Sequence, residues 1–283
     1  MTAATTERRA RRESASRRTA ARLRFSGVMR GEWIKLFSLR STWWTLGITV
    51  LVMVLFALVQ ASSLDFMMDN PQMSAVAENL HGAEIVTAGY AFGAVAIGVL
   101  GSLLVTGEYS TGMIRSTLAA VPTRLPVLVA KAIALVVVSA VTAALSIAGT
   151  QLATTSMLAE YDLVPPLDQE TTWQIYGGMA FFFVAVALLG LGAGAILRHS
   201  AGTITAVLSA LLLLPIVLTF INAEWVQDVS DYVPLNAAGA FLSVSGAIDG
   251  EAALTPWEGV AVVGAYPLVA LVAGAVLLRR RDA

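Results

Sequence analysis

Residues 107–124, GEYSTGMIRSTLAAVPTR, gather the ionisable side chains that the flanking chain lacks. Glu108, Arg115 and Arg124 stand there between two long runs free of Asp, Glu, Lys and Arg. Glu108 and Arg115 offer polar anchoring, through an ion pair within the molecule or contacts to a partner. Ser110 or Thr111 is placed to cap a helix at its start, and Pro122 to stop it. Ile114, Leu118 and Val121 recur at i, i+4 and i+7, which is one apolar stripe of a short helix over about 110–121. Arg115 projects off its side. A plain hairpin needs only a few polar residues, whereas this stripe must be covered by the bilayer or by a partner.

Other chemistry is hard to assemble from this chain. There is no cysteine, which excludes disulfides, thiolate metal sites and a cysteine nucleophile. The histidines are His81 and His199, expected on opposite faces of a membrane, so no histidine metal site is expected within one chain. Neither H-E-x-x-H nor G-x-S-x-G occurs, and no catalytic or metal residue is assigned. There is also no G-x-x-x-x-G-K-[ST], so the chain carries no P-loop for ATP. Any ATP-driven step requires an ATPase on another polypeptide.

The elements that position the segment follow from hydropathy. The 283 residues are 57% hydrophobic and 13% charged, against about 45–50% and 25% in soluble domains. Charge-free runs at 41–64, 85–107, 132–159, 171–197, 199–223 and 259–278 are long enough to cross a hydrocarbon core about 30 Å thick. They predict six spans near 43–63, 85–106, 130–153, 174–197, 201–221 and 259–278. A shorter run, 232–248, broken by Pro234, Gly239 and Gly246, is expected as an interfacial or re-entrant segment packed against protein. Glu84 and Lys131 flank span ends, and no charge is expected inside a span, which argues against a proton relay or charge-coupled carrier. Gly190 and Gly194 have the small-xxx-small spacing of close helix packing. Pro215 and Pro267 are expected to kink spans five and six.

All 18 Lys and Arg fall before the first span, in alternate loops, or after the last span. The loops 65–84, 155–173 and 222–258 hold none of them and 14 of the 19 acids. This asymmetry predicts cytoplasmic termini, and a seventh span would break it. Residues 1–24 read as a disordered basic arm beside anionic lipid headgroups. Residues 25–41 read as an amphipathic interfacial helix, with Phe25, Val28, Met29, Trp33, Leu36 and Phe37 on one face and Arg30, Lys35 and Ser38 elsewhere. Trp43 and Trp44 mark the headgroup boundary. The one structural domain is therefore 25–283.

GEYSTGMIRSTLAAVPTR closely resembles the E-Y-x-x-G-x-[IL]-R-x-x-L-x-x-P-x-x-R signature of the membrane-spanning subunits of type 2 (ABC-2) ABC transporters. GEWIKLFSLRSTWW is similar to the E-x-x-K-x-x-x-x-R-x-x-W segment before the first span in that family, and DYVPLNAAGAF resembles its loop before span six. The resemblance covers 25–281. It implies an all-α, six-span permease of the plasma membrane that pairs with a second permease copy or a related one. ABC ATPase subunits would be separate chains holding ATP and Mg, with no cofactor on this chain and no nucleic acid partner. It further implies a coupling helix at about 110–121, with Glu108, Tyr109, Thr111, Gly112, Ile114, Arg115, Leu118 and Arg124 facing the ATPase. A connecting helix would carry Glu32, Trp33, Lys35 and Arg40. The expected activity is export of a hydrophobic or amphipathic substrate whose binding residues are not legible. The alternative is a non-transporting immunity, regulatory or anchoring subunit that recruits a soluble partner by the same helix.

Overall fold

In hydrocarbon every backbone amide must be satisfied within the chain, which leaves helices or closed barrels as spanning structures. The computed structural model of the protein describes residues 25–70, 73, 79–120, 125–221, 223–244 and 253–280, and these are helical with no strand. The predicted basic arm, residues 1–24, lies outside the described residues, as do 121–124 and 245–252.

Helix α1 (Phe25–Ser38) leads into α2 (Arg40–Ser62) through extended Leu39, and α3 (Leu64–Asp69) prolongs α2. Helix α4 (Gly82–Thr87) precedes α5 (Tyr90–Ser110). The short α6 (Met113–Ala120) follows, then α7 (Leu125–Ala159) and α8 (Glu170–Leu197). Span five is α9 (Ser200–Leu208), a π turn at Ser209–Leu213, and α10 (Leu214–Thr219). Helices α11 (Glu224–Ser230) and α12 (Pro234–Leu242) precede the last span, α13 (Pro256–Arg280). The six segments long and apolar enough to cross a membrane run 40–69, 82–110, 125–159, 170–197, 200–219 and 256–280. Each overlaps an expected span, and most extend beyond it because helix continues past the apolar core. At 35 residues, α7 is about 52 Å long at 1.5 Å per residue and overreaches a hydrocarbon core of about 30 Å.

Spans two, three and four form the centre, with half or more of their apolar windows buried, against 22% for spans one, five and six. Small residues set how closely the central helices approach. A Cβ on Gly190 would sit 2.5 Å from Gly98 O, and one on Gly194 would sit 2.4 Å from Val105 Cγ1. The pair 190/194 therefore seats α8 on α5, as its spacing predicts. From the other side, a Cβ on Gly101 would lie 2.1 Å from Ala187 O. The prolines behave differently from each other. Pro215 lacks the amide that would close the preceding turn, and span five carries a π turn just before it. The α13 helix runs unbroken through Pro267.

Within the 232–248 segment, α12 is nine residues long, about 13.5 Å and too short to span. Its Pro234, Ala237, Ala238, Phe241 and Leu242 are buried, and it packs on α13 and α8. Val244 N donates to Glu84 Oε1 at 2.8 Å and Ser243 Oγ donates to Glu84 Oε2 at 3.1 Å, tying the segment to α4.

Gly101→Leu should collapse the α5–α8 contact, because backbone rather than a yielding side chain stands in the way. The expected loss is at least about 1–3 kcal/mol, read as a lowered unfolding midpoint in detergent. Gly177→Ala, whose Cβ meets nothing within 4 Å, should leave the midpoint unchanged or raise it slightly.

Candidate functional site

On the end of the bundle where α1 and α6 lie, only Glu32 and Glu108 supply negative charge among the described residues; every other described acid belongs to the opposite loops and span ends. Both are buried, at 2% and 4% exposure. They meet two lysines. Lys131 Nζ, on α7, donates to Glu32 Oε2 at 2.6 Å, to Glu108 Oε1 at 2.6 Å and to Leu104 O at 3.2 Å. Lys35 Nζ, on α1, donates to Glu32 Oε1 at 3.0 Å, to Glu108 Oε1 at 2.8 Å and to Thr117 Oγ1 at 3.2 Å. Each ammonium has three donors, and each uses all three. Two carboxylates and two ammoniums thus form a neutral cluster joining α1, α5, α6 and α7. Glu108 Oε2 is buried without a hydrogen bond among the described residues.

Helix α1 turns inward much of the face that its apolar residues mark, with Leu36 buried and Val28, Met29 and Trp33 half-buried, and Glu32 lies within that face. Its buried residues are Glu32 and Leu36, while Phe25 and Phe37 are exposed and Lys35 points into the cluster. Trp33 is half-buried and stacks on Phe37, with centroids 5.4 Å apart. Arg40 opens α2 and is exposed.

The start of α6 also differs in detail from the expectation. Thr111 Oγ1 donates back to Gly107 O at 2.8 Å and Ser110 Oγ does so at 3.0 Å. Both hydroxyls therefore close α5 instead of capping α6. Gly112 adopts φ +72°, the left-handed turn that reverses the chain between the two helices and that a side chain would strain. Beyond it Ile114 is buried at 6% exposure, so the chain itself covers this part of the apolar stripe. Met113, Arg115, Ser116 and Ala119 are exposed on the other side of α6. The Leu118 side chain, Val121, Pro122 and Arg124 lie outside the described residues. Tyr109 is half-buried beneath Arg198, whose guanidinium carbon stands 5.3 Å from the ring centroid, and Arg198 itself ends α8 at φ 57°.

Among the described residues the cationic partners of Glu108 are Lys35 and Lys131, not Arg115. Lys131, expected as a span-end flank, is instead 1% exposed and central to the cluster. It and Thr117 were missing from the sequence-derived site. The available signal was charge balance, since two acids on a basic end need two nearby cations if they are buried.

Burial pulls the Lys35 ammonium down. The Glu108 hydrogen bond and the charges of Glu32 and Glu108 more than offset this, and its pKa stands above the ordinary lysine value. A raised pKa gives stability that is full below the unfolded-chain value of about 10.4 and lost as pH climbs through the folded value.

A helical bundle with six membrane-crossing segments and a buried ionic knot at one end defines a multi-pass membrane protein with an anchored short helix outside its spans. The family described as ABC-2 family transporter protein matches residues 32–283, and the chain belongs to it. It is a permease of that family, a membrane subunit of a kind that associates with ABC ATPase subunits. No curated protein matches the chain.

Lys131→Met should leave two buried carboxylates facing Lys35 alone, at a cost of about 3–5 kcal/mol, seen as a large drop in unfolding midpoint. Lys35→Gln should cost less, because its side chain is 29% exposed. The gap between parent and Lys35→Gln should stay constant from about pH 6 to pH 9 and close above about pH 10, followed by unfolding in a pH series.

Proposed function

We propose that this permease is the transmembrane half of an ATP-driven exporter in the plasma membrane, with α6 as its coupling helix. The observation that carries the reading is the two-sidedness of α6. Ile114 and Thr117 face the chain, while Met113, Arg115 and Ser116 face outward. One side is fixed through Lys35 to α1 and to the ends of α5 and α7, and the other is free to meet a soluble chain. The basic residues gathered at this end support a cytoplasmic position for it and for both termini.

ATP and Mg reside on the partner ATPase. When the ATPase pair closes, a push on α6 reaches the spans through the cluster. A neutral ion set resists bending better than a loop does, because separating its members exposes unpaired buried charge. The push therefore moves α1, α5 and α7 together instead of being absorbed locally. A second permease copy, identical or related, completes the translocation path. The mainly apolar spans suit a hydrophobic or amphipathic cargo, and the direction follows the family resemblance.

Arg115→Glu reverses charge on the outer side of α6 without touching the cluster. The variant should insert normally and keep its unfolding midpoint within about 0.5 kcal/mol of the parent. Its co-purification with the co-expressed ABC ATPase should fall about tenfold, and ATP hydrolysis in proteoliposomes should lose its dependence on the permease. Unchanged co-purification and unchanged hydrolysis would remove α6 from the coupling role.

A further inference from the structure

Beside the cluster, α1, α2 and α7 enclose an apolar groove of about 400 Å³, within the size range of small-molecule sites. One wall is an aromatic run. Trp33 stacks on Phe37, Phe37 lies 5.4 Å from Trp43, and Trp43 Nε1 donates to Phe37 O at 3.1 Å. The opposite wall is Val137, Val141 and Leu145 of α7, all exposed. Gly47 forms part of the α2 side, and a Cβ there meets nothing within 4 Å. The groove is open and sits where interfacial tryptophans gather, at the junction of headgroups and hydrocarbon.

Charge fixes what suits it. Glu32 and Glu108 are both engaged by Lys35 and Lys131, so neither carboxylate is left to offset cations at the mouth. Arg40 lies one turn before Trp43, on the same side of α2 as 43, 47 and 50, and is exposed. We infer that the groove is a binding site for an anionic phospholipid of the adjoining leaflet, with an acyl chain between the aromatic wall and α7 and the headgroup phosphate at Arg40. The consequence is regulatory. Trp33 lines the groove and its neighbour Glu32 holds Lys131, so an occupied groove braces α1 in the position that the cluster requires.

The site is tested with the full chain, purified from proteoliposomes holding equal phosphatidylglycerol and phosphatidylcholine, by quantifying the phospholipid that remains after detergent exchange. The parent should retain phosphatidylglycerol over phosphatidylcholine by about fivefold, the factor one basic residue contributes near an anionic headgroup. Gly47→Leu fills the groove from a position with open space and should remove most of the retained lipid while leaving the unfolding midpoint unchanged. Arg40→Gln should keep lipid but lose the headgroup preference. Retention in membrane proportions by the parent, or undiminished retention by Gly47→Leu, would overturn the site. A shift of Gly47→Leu from dimer to monomer with no change in lipid would assign the groove to a second copy instead and overturn it equally.

Discussion

The basic end of this permease is organised by one requirement, that a lysine ammonium removed from water must find anionic partners. Lys131 is a compact charge on a long helix that is otherwise uncharged. Left alone at that depth it would cost several kcal/mol. Glu108 and Glu32 remove that cost only if the end of α5 and the flank of α1 come to it. Lys35 then neutralises the second carboxylate and reaches Thr117 on α6. Four helices are thus brought into register by electrostatics as well as by apolar packing, which inside a membrane gives little preference for one neighbour over another. Such a cluster adds little net stability compared with a well-packed apolar core, but it tolerates few alternative arrangements.

This contrasts with the bundle centre. There α8 and α5 are held by glycine-mediated backbone approach, a van der Waals contact that needs no charge. At the acidic end Glu84 bonds the chain after α12 and so attaches the segment that covers that end to α4. The molecule therefore has a close-packed middle and ionic or hydrogen-bonded ties at both ends.

The six spans were legible because charge-free length is a one-dimensional property, and residues such as Gly190 and Gly194 announce their packing by spacing alone. The short helix after span two is legible from the spacing of Ile114, Leu118 and Val121. The cluster was visible only in part. Glu32, Lys35 and Glu108 stand out in the sequence, but their pairing with Lys131 does not, since a periodicity argument counts apolar residues and is blind to a cation 99 positions away. Lys131 reads from the sequence as a span-end flank, and lysines at such boundaries ordinarily reach out to the headgroups. Ser110 and Thr111 were assigned to the wrong helix end, since a hydroxyl between two helices can serve either one.

The central claim is that α1 and α7 are joined through the pairing of Glu32 with Lys131. A double-mutant cycle on Glu32→Gln and Lys131→Met, read by reversible unfolding of the full chain in detergent, tests this most directly. The account predicts that the two effects are strongly non-additive, with a coupling of at least about 1.5 kcal/mol, because each single variant strands the other's charge. Effects that sum to within about 0.5 kcal/mol, the behaviour of independent sites, would contradict it.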